Sequence, residues 1–181
     1  MIHFTTFFSN MPNISPVFTV AFMTCLTELH NSKEKWPDAN LVEIINDWML
    51  YKDQFYGVIG SSLLLGLARW TILHPLTDKT GRQDSTIAVL HLAILEILAE
   101  SKIKFAVPSK SVVLLVSKVE QCLNNDHDES SQELALDRLG QFLHCLSATT
   151  NVHGKVNEVC ASMKRLVQQS RILQMYLNMY Q

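Results

Sequence analysis

Apolar side chains recur along this chain at the helical spacing i, i+3, i+4, i+7, and almost nowhere in the strict alternation of a half-buried strand. Ser15-Pro16 reads as a helix start: a capping hydroxyl, then a proline in the first turn, where its missing N–H costs nothing. Phe18, Phe22, Cys25 and Leu29 follow on one face. Pro37-Asp38 opens a second helix, with Leu41, Ile44, Ile45, Trp48 and Met49 in phase. From about Asp53 to Leu73 the chain is apolar on most sides, and Pro75 ends the run because proline disfavours a helical residue before it. A short helix is expected ahead of all these, around Phe4, Phe7 and Phe8.

Residues 75–84, PLTDKTGRQD, form a polar connector. Asp84-Ser85 caps the next helix, whose strongly polar positions up to Glu100 are Ser85, His91, Glu96 and Glu100. Ser85, Glu96 and Glu100 fall within about 60° of one another at the helical angle per residue. His91 lies away from them among apolar neighbours, so the helix is expected to be central, covered over most of its circumference, with His91 a satisfied core histidine. Ser109 or Ser111 opens a helix carrying Val112, Leu115, Val116, Val119 and Leu123. After the loop NNDHDES, Ser130 with Glu133 makes a capping box into Leu136, Leu139, Leu143 and Leu146. Asn151 starts a helix through Val152, Val156, Val159, Met163 and Leu166, and Ile172, Leu173, Tyr176 and Tyr180 close the chain. The expectation is an all-α protein of eight or nine antiparallel helices in one domain over 1–181, the connector joining helices of 1–74 to those of 85–181. Its helices would pair as an irregular HEAT-like repeat or a compact bundle.

Composition agrees. With 181 residues, 48% of them hydrophobic, the chain can bury one ample core, and 6 glycines and 5 prolines are too few for the turns of a sandwich or barrel. Net charge is −2, and no segment has the basic excess that phosphate neutralisation needs, which argues against direct nucleic-acid binding. Glu120 to Asp137 is acidic while Lys155, Lys164, Arg165 and Arg171 face only Glu158, a polarity typical of solvated faces and helix ends. Cys25, Cys122, Cys145 and Cys160 form no CxxC pair, so reduced, packed thiols are expected in an intracellular protein, without zinc. No lysine or arginine precedes Lys33, against a signal peptide, and the apolar run from Gly57 to Ala68 is too short to span a bilayer. A soluble protein with no membrane partner is expected.

Gly57-Val58-Ile59-Gly60-Ser61-Ser62 lacks the lysine and preceding strand of a phosphate loop, and its small residues read as close helix packing. Asp126 to Glu129 lacks the central glycine of a calcium loop and reads as a solvated loop complementing a helix dipole. His144 and Cys145 are adjacent, hence about 100° apart on a helix, and cannot form a dyad. No catalytic residue, cofactor or metal ligand is expected.

Two segments resemble the Integrator complex subunit 15 family. One is Leu64-Leu65-Gly66-Leu67-Ala68-Arg69-Trp70, closing at Pro75-Leu76 and followed by Leu90-His91-Leu92-Ala93-Ile94-Leu95; the other runs from Ser131 to Leu139, SQELALDRL. Their order and spacing match that family's middle and C-terminal helical region, and Phe18 to Trp48 and the last helices to about Leu177 are similar to it as well. A usual member also carries a long N-terminal helical portion and a Pro/His-rich tail. The resemblance implies a nuclear, non-catalytic scaffold subunit of Integrator. That assembly associates with RNA polymerase II, processes small nuclear RNA 3′ ends and attenuates transcription, its cleavage chemistry lying in a different subunit. Expected partners are subunits ten, thirteen and fourteen. Arg69, Trp70, Asp137 and Arg138 are the resembling residues best suited to partner contacts, since arginine and tryptophan most often anchor interfaces. Against that stands an intramolecular reading, with Trp70 in the core and the charges pairing between helices. The residues themselves leave open an unrelated helical adaptor, or a helical repeat binding nucleic acid weakly through Lys155, Lys164, Arg165 and Arg171.

Overall fold

A computed structural model describes residues 15–32, 37–50, 57–77, 85–100, 107–124, 128–148, 166 and 170–178. Among them are seven α-helices and no strand: α1 Pro16–Ser32, α2 Ala39–Leu50, α3 Ser61–Leu73, α4 Ser85–Ala99, α5 Ser109–Leu123, α6 Glu129–Ala148 and α7 Arg171–Asn178. A 3-10 turn, His74–Leu76, closes α3. The helices expected around Phe4 to Phe8 and from Asn151, and most of the polar connector, lie outside the described residues. None of the described helices is long and apolar enough to cross a membrane.

Local chemistry explains most of the boundaries. α1 begins at its proline, with the Thr19 N–H bonded to the Ser15 carbonyl at 3.1 Å. Asp38 caps α2, its Oδ1 accepting the Leu41 N–H at 2.8 Å. α3 begins at Ser61 rather than near Asp53, because Gly60 takes an extended backbone, φ −117° and ψ 166°, as its N-cap. α6 is capped by Asp128, whose Oδ2 accepts the Ser131 N–H at 3.0 Å, and not by Ser130. A carboxylate there meets the positive end of the helix dipole as well as an orphan N–H.

α3 is the hub, packed against α1, α4, α5 and α6, while α4 also meets α2 and α6, and α7 lies on α6. One apolar cluster runs through all seven helices from Val20 to Leu173. The leucines expected to line α6 are all buried, as are Val112, Leu115, Val116 and Val119 of α5. Close helix packing occurs away from the Gly57–Gly60 segment, where an added Cβ would meet nothing within 4 Å. A Cβ on Gly66 would stand 2.8 Å from Thr27 Oγ1, which places the α1–α3 contact there, and one on Gly140 would stand 2.6 Å from Ile172 Cγ2 on α7.

Two faces are turned differently from the sequence expectation. In α1 the residues facing the core are Thr19, Val20, Met23 and Thr27. The stripe expected to be buried points outward: Phe18 is 56% and Leu29 47% exposed, and the free Cys25 is exposed too. Phe22, half-buried, stacks on Phe18 and meets the edge of Trp48 at centroid distances of 6.3 and 6.2 Å. The inversion has a physical cause. Thr27 donates its hydroxyl to the Thr24 carbonyl at 2.9 Å, so it buries without an unsatisfied group, and its small side chain fits against Gly66. α4 is less covered than expected, since Val89 and Leu92 are 51% and 59% exposed on its outer face.

Candidate docking groove

Arg69, Trp70 and Thr71 are consecutive on α3, about 100° apart, and so leave the helix in three directions. Each direction leads to a different part of the site.

Arg69 is half-buried and lines a groove of about 390 Å³ between α1, α3 and α5. The floor is α3, through Ser62, Leu65, Gly66 and Arg69, one helical stripe at i, i+3, i+4, i+7. One wall is the matching stripe of α5, Ser111, Leu114, Leu115 and Lys118; the other is the end of α1, with Glu28, Asn31 and Ser32. Among the described residues, neither Arg69 nor Glu28 makes a hydrogen bond or ion pair. Leu114 stands 60% exposed on the α5 wall.

Trp70 turns inward and is 1% exposed. Its indole Nε1–H donates to Asn31 Oδ1 at 3.1 Å, and the His30 ring meets it edge-on at 5.4 Å. Asn31 therefore faces the groove and holds the buried indole at the same time.

Thr71 enters a buried polar network joining α3, α4 and α6. Its carbonyl would accept the N–H four residues on, but that residue is Pro75, which has none. Arg138 supplies the donor, Nη1 bonding the Thr71 oxygen at 2.6 Å from α6. A cation at this end of α3 also complements the helix dipole. The Thr71 hydroxyl lies 3.0 Å from His91 Nδ1 and 3.1 Å from the Ala68 carbonyl, two acceptors that share its single proton. His91 Nε2 lies 3.3 Å from Gln141 Oε1. With that oxygen accepting, the ring proton sits on Nε2, and Nδ1 accepts from Thr71. Burial, and then the Arg138 charge, push the His91 pKa down to about 4, against the pull of the Gln141 bond, so the ring is neutral at physiological pH.

The structure thus separates the four residues singled out from sequence. Arg69 faces the groove, and Trp70 and Arg138 are buried behind it. Asp137, half-buried, points toward α7, where its Oδ1 accepts the Ser170 hydroxyl at 3.4 Å; that hydroxyl oxygen accepts the Leu173 N–H at 3.4 Å. Sequence reasoning missed Glu28, Leu114 and Lys118. Leu114 was findable, as the leucine that falls outside the buried stripe of α5. Glu28 and Lys118 carry no such signal, because only the packing of α1 and α5 on either side of α3 brings them to one groove.

Among the described residues, no group of three or more His, Cys, Asp or Glu side chains could hold a metal ion. Burial pushes the Cys145 thiol up, which lowers its thiolate fraction, and the neighbouring His144 is exposed. What the site offers is a shaped surface with charge on its floor and walls.

Residues 4–168 match the family model of Integrator complex subunit 15. The chain belongs to that family. Among curated proteins, none matches it. Membership makes the Integrator complex the assembly to which this subunit 15 relative is tied, and the matched span takes in the whole groove and Arg138. The segments around Arg69, His91 and Arg138 that carry the family likeness in sequence are the ones whose side chains meet behind the groove, through Thr71.

Proposed function

We propose that this chain is a non-catalytic, nuclear scaffold subunit of Integrator, acting with RNA polymerase II in small nuclear RNA 3′-end processing and transcription attenuation, and docking on subunits ten, thirteen and fourteen. The observation that supports this most is Arg69, a guanidinium without a partner among the described residues, set in a groove with an exposed leucine on its rim. Such a charge beside apolar surface is the composition of an interface anchor. In this reading Arg69 touches the partner, Trp70 and Arg138 fix α1 and α6 against α3 behind it, and Asp137 ties α7 to the same scaffold. The chain acts as one domain, the 75–84 segment joining its halves, and its paired helices make an irregular HEAT-like stack. The single apolar cluster through all seven helices supports a unit that moves as one body.

The test is tagged purification from nuclear extract with mass spectrometry of what co-elutes. Recovery of subunits ten, thirteen and fourteen is expected. A folded chain that recovers no Integrator subunit overturns the proposal.

A further inference from the structure

We infer that the groove over α3 receives an amphipathic α-helix of a partner protein, one that sets leucine-sized side chains between α1 and α5 and a carboxylate against Arg69. This rests on the scaffold reading above and names the kind of segment the scaffold holds.

Shape is the first support. Floor and α5 wall each repeat at i, i+3, i+4, i+7, which is the spacing of the ridges that an incoming helix interdigitates. From Ser62 to Arg69 the floor runs about 10 Å at the helical rise per residue, room for two turns of a guest. Ser62, exposed at one end of that floor, keeps it low there, while Gly66 is already covered by Thr27 of α1. Apolar surface is the second. Leu114 on the α5 wall is 60% exposed, and a helix lying in the groove covers it.

Charge decides what kind of helix fits. Arg69 puts a guanidinium on the floor, and Lys118, whose amine donates to Gln121 Oε1 at 3.2 Å, adds a second positive charge on the α5 wall, while Glu28 is the carboxylate of the α1 wall. A guest with acidic side chains toward α3 and α5, and a basic or neutral edge toward α1, is complementary; a basic guest is repelled from the floor. A second copy of this chain is the poorer occupant. Its exposed helical face with the right chemistry is Val89, Leu92 and Glu96 of α4, a surface distinct from the groove, and pairing of two distinct surfaces does not close into a dimer.

The experiment uses purified subunits ten, thirteen and fourteen as the probe and measures their affinity for the chain and its variants, each variant checked by its thermal melt. Arg69→Glu and Leu114→Asp are expected to weaken binding about tenfold or more, while Leu92→Asp, on α4, leaves it unchanged. Crosslinking from the Lys118 amine to carboxylates should mark acidic residues at three- or four-residue spacing in one partner segment. Changing the residue that faces Arg69 to lysine should restore binding of the Arg69→Glu variant. Wild-type binding with both groove variants within twofold overturns the groove and leaves the scaffold reading standing. Absence of wild-type binding overturns both, and loss of self-association alone in the groove variants assigns the groove to a second copy and overturns the inference as stated.

Discussion

Arg138 of α6 completes the hydrogen bonding of α3 by donating to the Thr71 carbonyl that Pro75 leaves without a donor. A residue that would be a fair candidate for an interface anchor is thereby committed to the inside of the molecule. Arg138→Met, which keeps most of the apolar stem, should cost about 1–3 kcal/mol, the penalty of a buried carbonyl left unmet. Urea unfolding measures it. Arg138→Lys should recover part of the loss, and a Met variant as stable as wild type would show that water meets the Thr71 carbonyl equally well.

His91 makes stability depend on acid. Its folded pKa, about 4, lies below the unfolded value of 6.5, so above 6.5 both states are neutral and the residue adds no pH dependence. Below 6.5 the unfolded chain takes up a proton that the folded chain refuses, and stability falls until about pH 4, by up to about 3 kcal/mol. His91→Gln should flatten that part of the profile. Arg138→Met, by removing one cause of the shift, should make the slope shallower without abolishing it, since burial is the larger cause.

The two close helix contacts should respond to a single methyl group. Gly66→Ala and Gly140→Ala improve helix propensity by about 1 kcal/mol each. Each nevertheless places a carbon against a short β-branched side chain with little room to move, Thr27 or Ile172. Overpacking of this kind costs about 1–3 kcal/mol, so both variants should melt lower than wild type. Thr27→Ala should rescue Gly66→Ala, and Ile172→Ala should rescue Gly140→Ala; crossing the pairs should rescue neither.

The start of α6 distinguishes two neighbouring caps. Asp128→Ala removes the acceptor of the Ser131 N–H and should cost about 1 kcal/mol. Ser130→Ala should be close to neutral, as Ser130 is an exposed residue already inside the helix. Thermal melts of the two variants separate the assignments.

The helical character, the start of α2 and the inward leucines of α6 were legible because each rests on local chemistry: a cap, a proline, a stripe. The orientation of α1 was not. Periodicity finds two faces, and polarity chooses the buried one, but Thr19 and Thr27 meet their hydroxyl needs within the helix and pack inward at little cost. The break before α3 was misread for a related reason. Glycines at 57 and 60 look like contact points, yet the contact needing a glycine is at 66, set by where Thr27 lies across the core. For the site, Trp70 in the core was one of the two readings the sequence left open, while the bond from Arg138 to the Thr71 carbonyl could be placed only once α6 was seen against α3.

Asn31 has one side in the groove and its carbonyl oxygen on the buried indole of Trp70. Indole emission depends on what the Nε1–H is bonded to. With Trp36 and Trp48 replaced by phenylalanine, the chain would carry its own optical gauge: a guest that draws Asn31 toward itself would change the colour of Trp70, and occupancy could be followed in real time without a label.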